Sequence, residues 1–247
     1  MLRKFLLLLV LGNICFSIHP DILKKYQNGL DAYSDGNYQL TIQEMESILK
    51  QNWESPQLYY NLGNAYFREK SVGGSVWAYE KCILLDPSHL DAKYNLSIAN
   101  LNVIDKIETP EFPIYLKIYN AVKNYFNLND WINILLLSLL TISILVSIRK
   151  IFRLKWFLNF ELLIIIELAV VFIFCLHSFI DNNSKSEGII YEKVVVVFSE
   201  PNEYSSKIME VHEGLKVKIL NSQDGWINFE LLDGTVGWII EKQIRNL

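Results

Sequence analysis

Apolar and polar residues follow four different rhythms along this chain. After Arg3 and Lys4, an unbroken apolar stretch runs from Phe5 to Leu11. Between about residues 22 and 105, apolar positions recur at helical spacing, interleaved with small and aromatic residues. Two long runs follow, Trp131–Ile148 and Trp156–Ile180, the first without a charge and the second interrupted by Glu161 and Glu167. Beyond Asn182-Asn183-Ser184 the pattern changes to β-branched segments separated by glycine-containing turns. These rhythms predict an α + β multidomain chain: an α-helical repeat solenoid, a two-helix transmembrane hairpin and a small all-β barrel.

The first stretch has the basic start and short apolar core of a secretory signal peptide, 1–17, with Cys15 and Ser17 as small residues before a cut. Ile14 stands where a lipoprotein signal needs a small residue, which argues against lipidation of Cys15. A membrane-spanning helix needs about 20 apolar residues, so 131–148 and 156–180 both qualify. The link at 149–155 carries Arg149, Lys150, Arg153 and Lys155, and short basic loops stay cytoplasmic. Residues 18–130 and 181–247 are therefore expected outside the cytoplasm. Trp131 and Trp156 sit at segment ends, as interfacial aromatics do. Glu161 is close enough to its helix start to reach the headgroups. Glu167 lies deeper, where an ionisable group is costly. It either meets another membrane subunit or a proton pathway, or bonds to Ser138, Thr141 or Ser143 of the other helix.

Residues 56–89 carry Tyr59, Leu62-Gly63, Tyr66, Ser75, Tyr79, Cys82 and Pro87. The spacing matches the tetratricopeptide repeat of about 34 residues. Gly63 and Ser75 let two helices approach, Tyr66 and Tyr79 fill the space between them, and Asp86-Pro87 ends the second helix. Residues 22–55 repeat the pattern more loosely, with Gly29, Ala32, Gly36-Asn37-Tyr38, Thr41 and Met45. A cap helix over 90–105, carrying Tyr94, Leu96, Ile98, Leu101 and Ile104, is expected to cover the open end of this domain, 18–109. By resemblance to tetratricopeptide proteins, the concave face would present Tyr26, Leu30, Tyr33, Tyr60, Asn64, Phe67, Arg68, Tyr94 and Ile98. Asn64 and Arg68 are one helical turn apart. They suit a peptide backbone and a carboxylate, while Arg68 equally suits a pair with Glu69 or Glu80.

Pro110 and Pro113 open a linker, 110–130, in which Ile114, Ile118, Val122 and Phe126 recur every fourth residue. It reads as an amphipathic helix that lies on a membrane or packs on the repeats. The last segment, 186–247, reads as strands over Ile189–Phe198, Val211–Leu220, Gly225–Leu232 and Val236–Ile240. Glu213-Gly214, Asp224-Gly225-Trp226 and Asp233-Gly234-Thr-Val-Gly-Trp238-Ile239 resemble the bacterial SH3 family, although Phe198-Ser-Glu-Pro201 departs from its usual first-strand motif. Trp226 and Trp238 form a ligand groove with Tyr204 or fill the small core.

Charge and chemistry narrow the function further. The formal net charge is −4 with no basic block, so no nucleic-acid face is expected. The three cysteines (Cys15, Cys82, Cys175) lie in a leader, a repeat and a membrane segment, which leaves no expected disulfide or metal site. His19, His89, His177 and His212 are scattered, and no phosphate loop or nucleophile elbow occurs. No cofactor and no enzymatic activity are expected.

The order leader, repeats, membrane hairpin and terminal SH3-like domain resembles BatE-like proteins of the Bat aerotolerance group. The resemblance rests most on Tyr59-Tyr-Asn-Leu-Gly-Asn-Ala-Tyr66, Leu85-Asp-Pro87, Asn95-Leu96 and Phe126-Asn-Leu-Asn-Asp-Trp131. It implies a membrane-anchored adaptor of the bacterial inner membrane, with the repeats and the SH3-like domain on the periplasmic side, working with von Willebrand A-domain membrane proteins and a MoxR-type ATPase. The alternative is an envelope protein that binds peptidoglycan through its barrel.

Overall fold

The computed structural model describes residues 20–106, 113–152, 158–184 and 186–247. The leader with Cys15, the basic residues Arg153 and Lys155, and Trp156 lie outside the described residues. The chain divides into two compact units, 1–54 and 55–247.

The first unit is a helical hairpin, α1 (Pro20–Ser34) and α2 (Tyr38–Leu49). Gly36 takes a left-handed φ of 78° in the turn, and the Asn37 side chain caps α2 by accepting from the Leu40 amide. Inside the hairpin, the buried Thr41 hydroxyl donates to the Gly29 carbonyl over 3.1 Å. A Cβ on Gly29 would lie 3.4 Å from Met45, an ordinary contact, so this hairpin is packed less tightly around its glycine than the next one.

The second unit begins with a second hairpin, α3 (Pro56–Arg68) and α4 (Val72–Leu85). Ser55 caps α3 by accepting from the Leu58 amide, with Pro56 in the first turn. A Cβ on Gly63 would meet the Tyr79 ring at 2.6 Å, and one on Gly74 would meet the Tyr66 ring at 2.6 Å. Both tyrosines are buried between the helices, as their spacing predicts. Asp86 ends α4 and accepts from both the Ser88 hydroxyl and amide, which holds its carboxyl below the usual value. Helix α5 (Leu90–Leu101) follows, capped by His89, whose Nδ1 accepts from the Ala92 amide. The helical N-terminal part fits a tetratricopeptide-like solenoid.

The expected cap differs in detail. The helix stops at Leu101, and Leu90, Tyr94, Leu101 and Ile104 are exposed, while Ala92, Ala99 and Val103 are buried. Alanines let α5 seat closely, so the larger side chains are turned outward.

Helix α6 (Ile114–Lys123) leads into α7 (Leu128–Phe152) and α8 (Leu158–Ser184), which form an antiparallel pair. Both are long and apolar enough to cross a membrane, with mean hydropathies of 2.3 and 2.6 over their spans. Helix α7 extends past the run 131–148 at both ends, and α8 continues past Ile180 to Ser184, because the flanking polar residues continue the hydrogen-bonded helix.

The chain ends in an antiparallel sheet: β1 (Glu187–Ile190), β2 (Val194–Phe198), β3 (Lys207–His212), β4 (Lys216–Gln223), β5 (Trp226–Glu230), β6 (Val236–Ile240) and β7 (Ile244–Asn246). The order across the sheet is β3-β2-β6-β5-β4-β1-β7, an SH3-like arrangement. Asp224 and Gly225, with φ of 48° and 80°, form the two-residue turn that pairs Gln223 with Trp226. The expected single strand over 189–198 is two strands. Chain direction changes at Tyr191-Glu192-Lys193, so that Ile189 pairs with Lys216 and Arg245 while Val195 pairs with Val211. The core comprises Ile190, Val195, Val197, Val211, Leu215, Val217, Ile227, Phe229, Leu231, Ile239 and Ile244.

Candidate functional site

Two of the side-chain sets that the sequence nominates lie on the second unit, and a further set that it does not nominate joins repeat to barrel. On α3, Tyr60, Asn64, Phe67 and Arg68 share one face by helical spacing. Asn64 is the best fixed of these. Its Oδ1 accepts from the Tyr79 hydroxyl at 2.8 Å and from Asn95 Nδ2 at 2.9 Å, linking α3 to α4 and α5. With the carbonyl occupied, the amide nitrogen presents its hydrogens away from those partners. Tyr60 packs against the His89 ring at 4.8 Å. Phe67 and Arg68 are exposed, and so are Tyr94 on α5 and, in part, Ile98. Tyr26, Leu30 and Tyr33 belong to the first unit, where all three are half-buried and Tyr33 packs edge-on against Tyr38 at 5.2 Å.

The barrel carries a second aromatic set. Trp226 alternates with the core residues Ile227 and Phe229, so it lies on the opposite face of β5. Trp238 pairs with Asn228 on β5 and with Phe198 on β2, and Phe198 meets Trp226 edge-on at 5.6 Å. Neither tryptophan fills the core, which corrects that expectation: Val, Ile, Leu and Phe occupy it instead. The reason is register, since both tryptophans fall on outward positions of their strands. Tyr204, on the β2–β3 loop, is 97 % exposed.

Where α4 meets the barrel, the packing is close. Gly73, in the first turn of α4, donates its amide to the Glu213 carboxylate over 2.9 Å, a favourable place for an anion. A Cβ on Gly73 would lie 2.8 Å from the Ile190 carbonyl oxygen, and one on Gly214 would lie 2.8 Å from Val103. Trp77 Nε1 donates to the Asn246 carbonyl at 3.0 Å. The Arg245 guanidinium lies over Tyr191 and Trp77 at 4.0 and 4.6 Å, and donates to the Tyr66 hydroxyl at 3.3 Å. Asp105, just past α5, accepts from the His212 amide and faces its Nδ1 at 3.0 Å. Lys216 bridges Glu80 of the repeat (3.2 Å) and Glu187 of the barrel (2.9 Å). Burial pulls the Lys216 amine down, but the two carboxylates outweigh it and leave it above its ordinary value. Sequence reasoning missed this junction. Its partners lie more than a hundred positions apart, and no local pattern marks Gly73 or Arg245.

Within the apolar hairpin, the Ser138 hydroxyl lies 2.9 Å from Glu167 Oε1. Of the three hydroxyls considered, Ser138 is the partner, while Thr141 donates to the Leu137 carbonyl. The side chain of Glu161 lies outside the described residues. At the end of the pair nearest α6, Trp131 is buried, stacked on Phe174 at 4.9 Å, and donates to the Lys123 carbonyl.

Among the described residues, no group of three or more His, Cys, Asp or Glu is placed to hold a metal ion. Burial, with the Asp86 charge adding to it, pushes the Cys82 thiol up to about 12, so it stays protonated at neutral pH.

Comparison with known proteins gives one partial relative and one family model. A peroxisomal targeting signal receptor from Candida glabrata is 29 % identical over 103 residues, 42 % of this chain. That match spans only 17 % of the receptor's own length. The family model described as bacterial SH3 domain matches residues 192–246, so the barrel, from just after β1 through β7, is similar to that family.

Proposed function

We propose that this chain is a membrane-anchored adaptor of the bacterial envelope that binds segments of other proteins on its repeat face. The observation that carries the reading is Asn64. Its carbonyl is held by Tyr79 and Asn95, on a helix face that by spacing also carries Tyr60, Phe67 and Arg68. An amide fixed in this way suits a backbone carbonyl of an extended peptide, and ordering it beforehand reduces the entropic cost of binding. The partial likeness to a targeting signal receptor supports a peptide-binding role for the repeats. Helices α7 and α8 supply the anchor. The docking of the barrel on α4 supports a reading in which the segments before and after the hairpin share one side of the bilayer, and the basic composition of the link at 149–155 supports the periplasm as that side. No catalytic step is proposed.

The partners we propose are von Willebrand A-domain membrane proteins working with a MoxR-type ATPase, as the resemblance to BatE-like proteins implies. Affinity purification of the tagged full-length protein in mild detergent, with mass spectrometry, tests this. Stoichiometric recovery of such proteins, lost in the Asn64→Ala/Arg68→Ala double variant, is the expected result. Recovery of the chain alone from cells rich in it would overturn the proposal. A second reading, peptidoglycan binding, has its own observation: Trp226 and Trp238 are half-buried outside the barrel's core cluster, each beside the buried Phe198, in a region similar to bacterial SH3 domains. Sedimentation with purified cell wall that is lost on Trp226→Ala would favour it.

A further inference from the structure

Helix α6 has no buried residue, yet it is rich in large apolar side chains. Ile114, Ile118 and Val122 are exposed by 72, 59 and 44 %, and Tyr115 by 66 %. At 100° per residue they occupy one arc of the helix. Lys117, Asn120 and Lys123 occupy the opposite arc, and α6 carries no acidic residue. The helix is nevertheless held in place. Tyr119 stacks on Phe174 of α8 at 5.3 Å, and its hydroxyl meets His177. The Lys123 carbonyl accepts from Trp131 Nε1 at the start of α7. Asn127, four residues beyond α6, donates to the Leu85 carbonyl at the end of α4, tying the same corner to the repeat.

We propose that α6 lies in the interface of the bilayer that α7 and α8 cross, with Ile114, Ile118 and Val122 sunk below the headgroups. This rests on the reading of α7 and α8 as membrane spans. The occupant is lipid because the apolar arc continues from the apolar surface of the two spans, through Tyr119 and Phe174. Tyr119 and Trp131 at that junction are of the two residue types enriched at membrane–water interfaces. Such helices bury their apolar face about 5–10 Å into the headgroup and acyl boundary. Lysines on the other arc stay with headgroups and water. The consequence is mechanical. The repeat and the barrel docked on it are held at a set distance from the membrane surface instead of on a slack tether.

The test labels single cysteines with an environment-sensitive fluorophore in the full-length protein, its own three cysteines replaced by alanine. The protein is reconstituted into phosphatidylcholine–phosphatidylglycerol vesicles, with and without acyl-brominated phosphatidylcholine. At Ile118→Cys the expected result is blue-shifted emission quenched at least about twofold more by brominated lipid than emission at Lys117→Cys. Those positions are neighbours on opposite sides of the apolar boundary. Equal, water-like emission at both sites in vesicles that retain the protein through a carbonate wash would overturn the proposal and leave the spans standing. Blue-shifted emission at 118 that brominated lipid does not quench would also overturn it, because protein would then cover the face. Release of the protein by carbonate would overturn the membrane reading itself, and the proposal with it.

Discussion

The Arg245 guanidinium sits 4.0 Å from the centre of the Tyr191 ring, with Trp77 of the repeat at 4.6 Å on the same cation. One side chain on the last strand of the barrel therefore joins an aromatic pair drawn from both domains. A shielded cation–aromatic contact contributes up to about 2 kcal/mol. Arg245→Ala should lower the stability of the junction by about 1–2 kcal/mol, and Arg245→Lys should recover only part, since an ammonium cannot stack as a plane. Hydrogen exchange should show faster opening of β7 and β1 with α1 and α2 unchanged. Unaltered exchange in β7 would show that the contact contributes nothing.

Gly73 makes a prediction of opposite sign to ordinary helix propensity. Replacing an exposed helical glycine by alanine stabilises by up to about 1 kcal/mol. At Gly73 the new Cβ would meet two backbone oxygens, of Ile190 at 2.8 Å and Tyr191 at 2.9 Å. Backbone atoms cannot swing aside, so Gly73→Ala should destabilise by about 1–3 kcal/mol. Limited proteolysis between the hairpin and the barrel, compared with wild type, reads the outcome. A variant more resistant than wild type would contradict the close approach.

Lys70 holds a left-handed φ of 60° in the turn between α3 and α4. One repeat period earlier the same place is Gly36, also left-handed. A non-glycine residue there carries a cost of about 1–2 kcal/mol, part of which returns as extra unfolded-chain entropy when glycine is introduced. Lys70→Gly should therefore raise stability by up to about 1 kcal/mol. A thermal melt suffices, and a fall in the midpoint would refute it.

Lys216 should make the junction sensitive to alkali. Its folded-state value is raised above the ordinary 10.5 by Glu80 and Glu187 against the opposing effect of burial. A raised amine contributes stability that is fully present below 10.5 and is lost as pH climbs through its folded value. Barrel–repeat exchange rates should rise above that point in wild type and show a smaller pH response in Lys216→Met. An identical pH response in the two proteins would remove Lys216 from the account.

Much of the helical part was legible because its determinants are local. Gly63 and Tyr79 are sixteen positions apart and meet within one hairpin, so repeat spacing alone anticipates their contact. The same holds for the apolar helices, whose length and composition are properties of a single segment, and for Asp224-Gly225, where a two-residue turn needs left-handed conformations. The candidate site was only partly legible. Sequence placed Asn64 on a helix face beside Arg68, but that its carbonyl is occupied by Tyr79 and Asn95 depends on where α4 and α5 come to rest.

What sequence by itself determined, then, is the succession of elements: amphipathic hairpins, apolar helices and short strands with their turns. Each follows from side-chain periodicity and backbone preference within a few residues. Tertiary structure decided which surfaces those elements cover. It set Trp226 and Trp238 outside the barrel core by strand register, chose Ser138 as the partner of Glu167, split 189–198 into two strands, and seated the barrel on α4 through Gly73, Trp77 and Arg245. Such contacts join positions remote in the chain, and steric fit between distant backbones leaves no periodic trace in the order of residues.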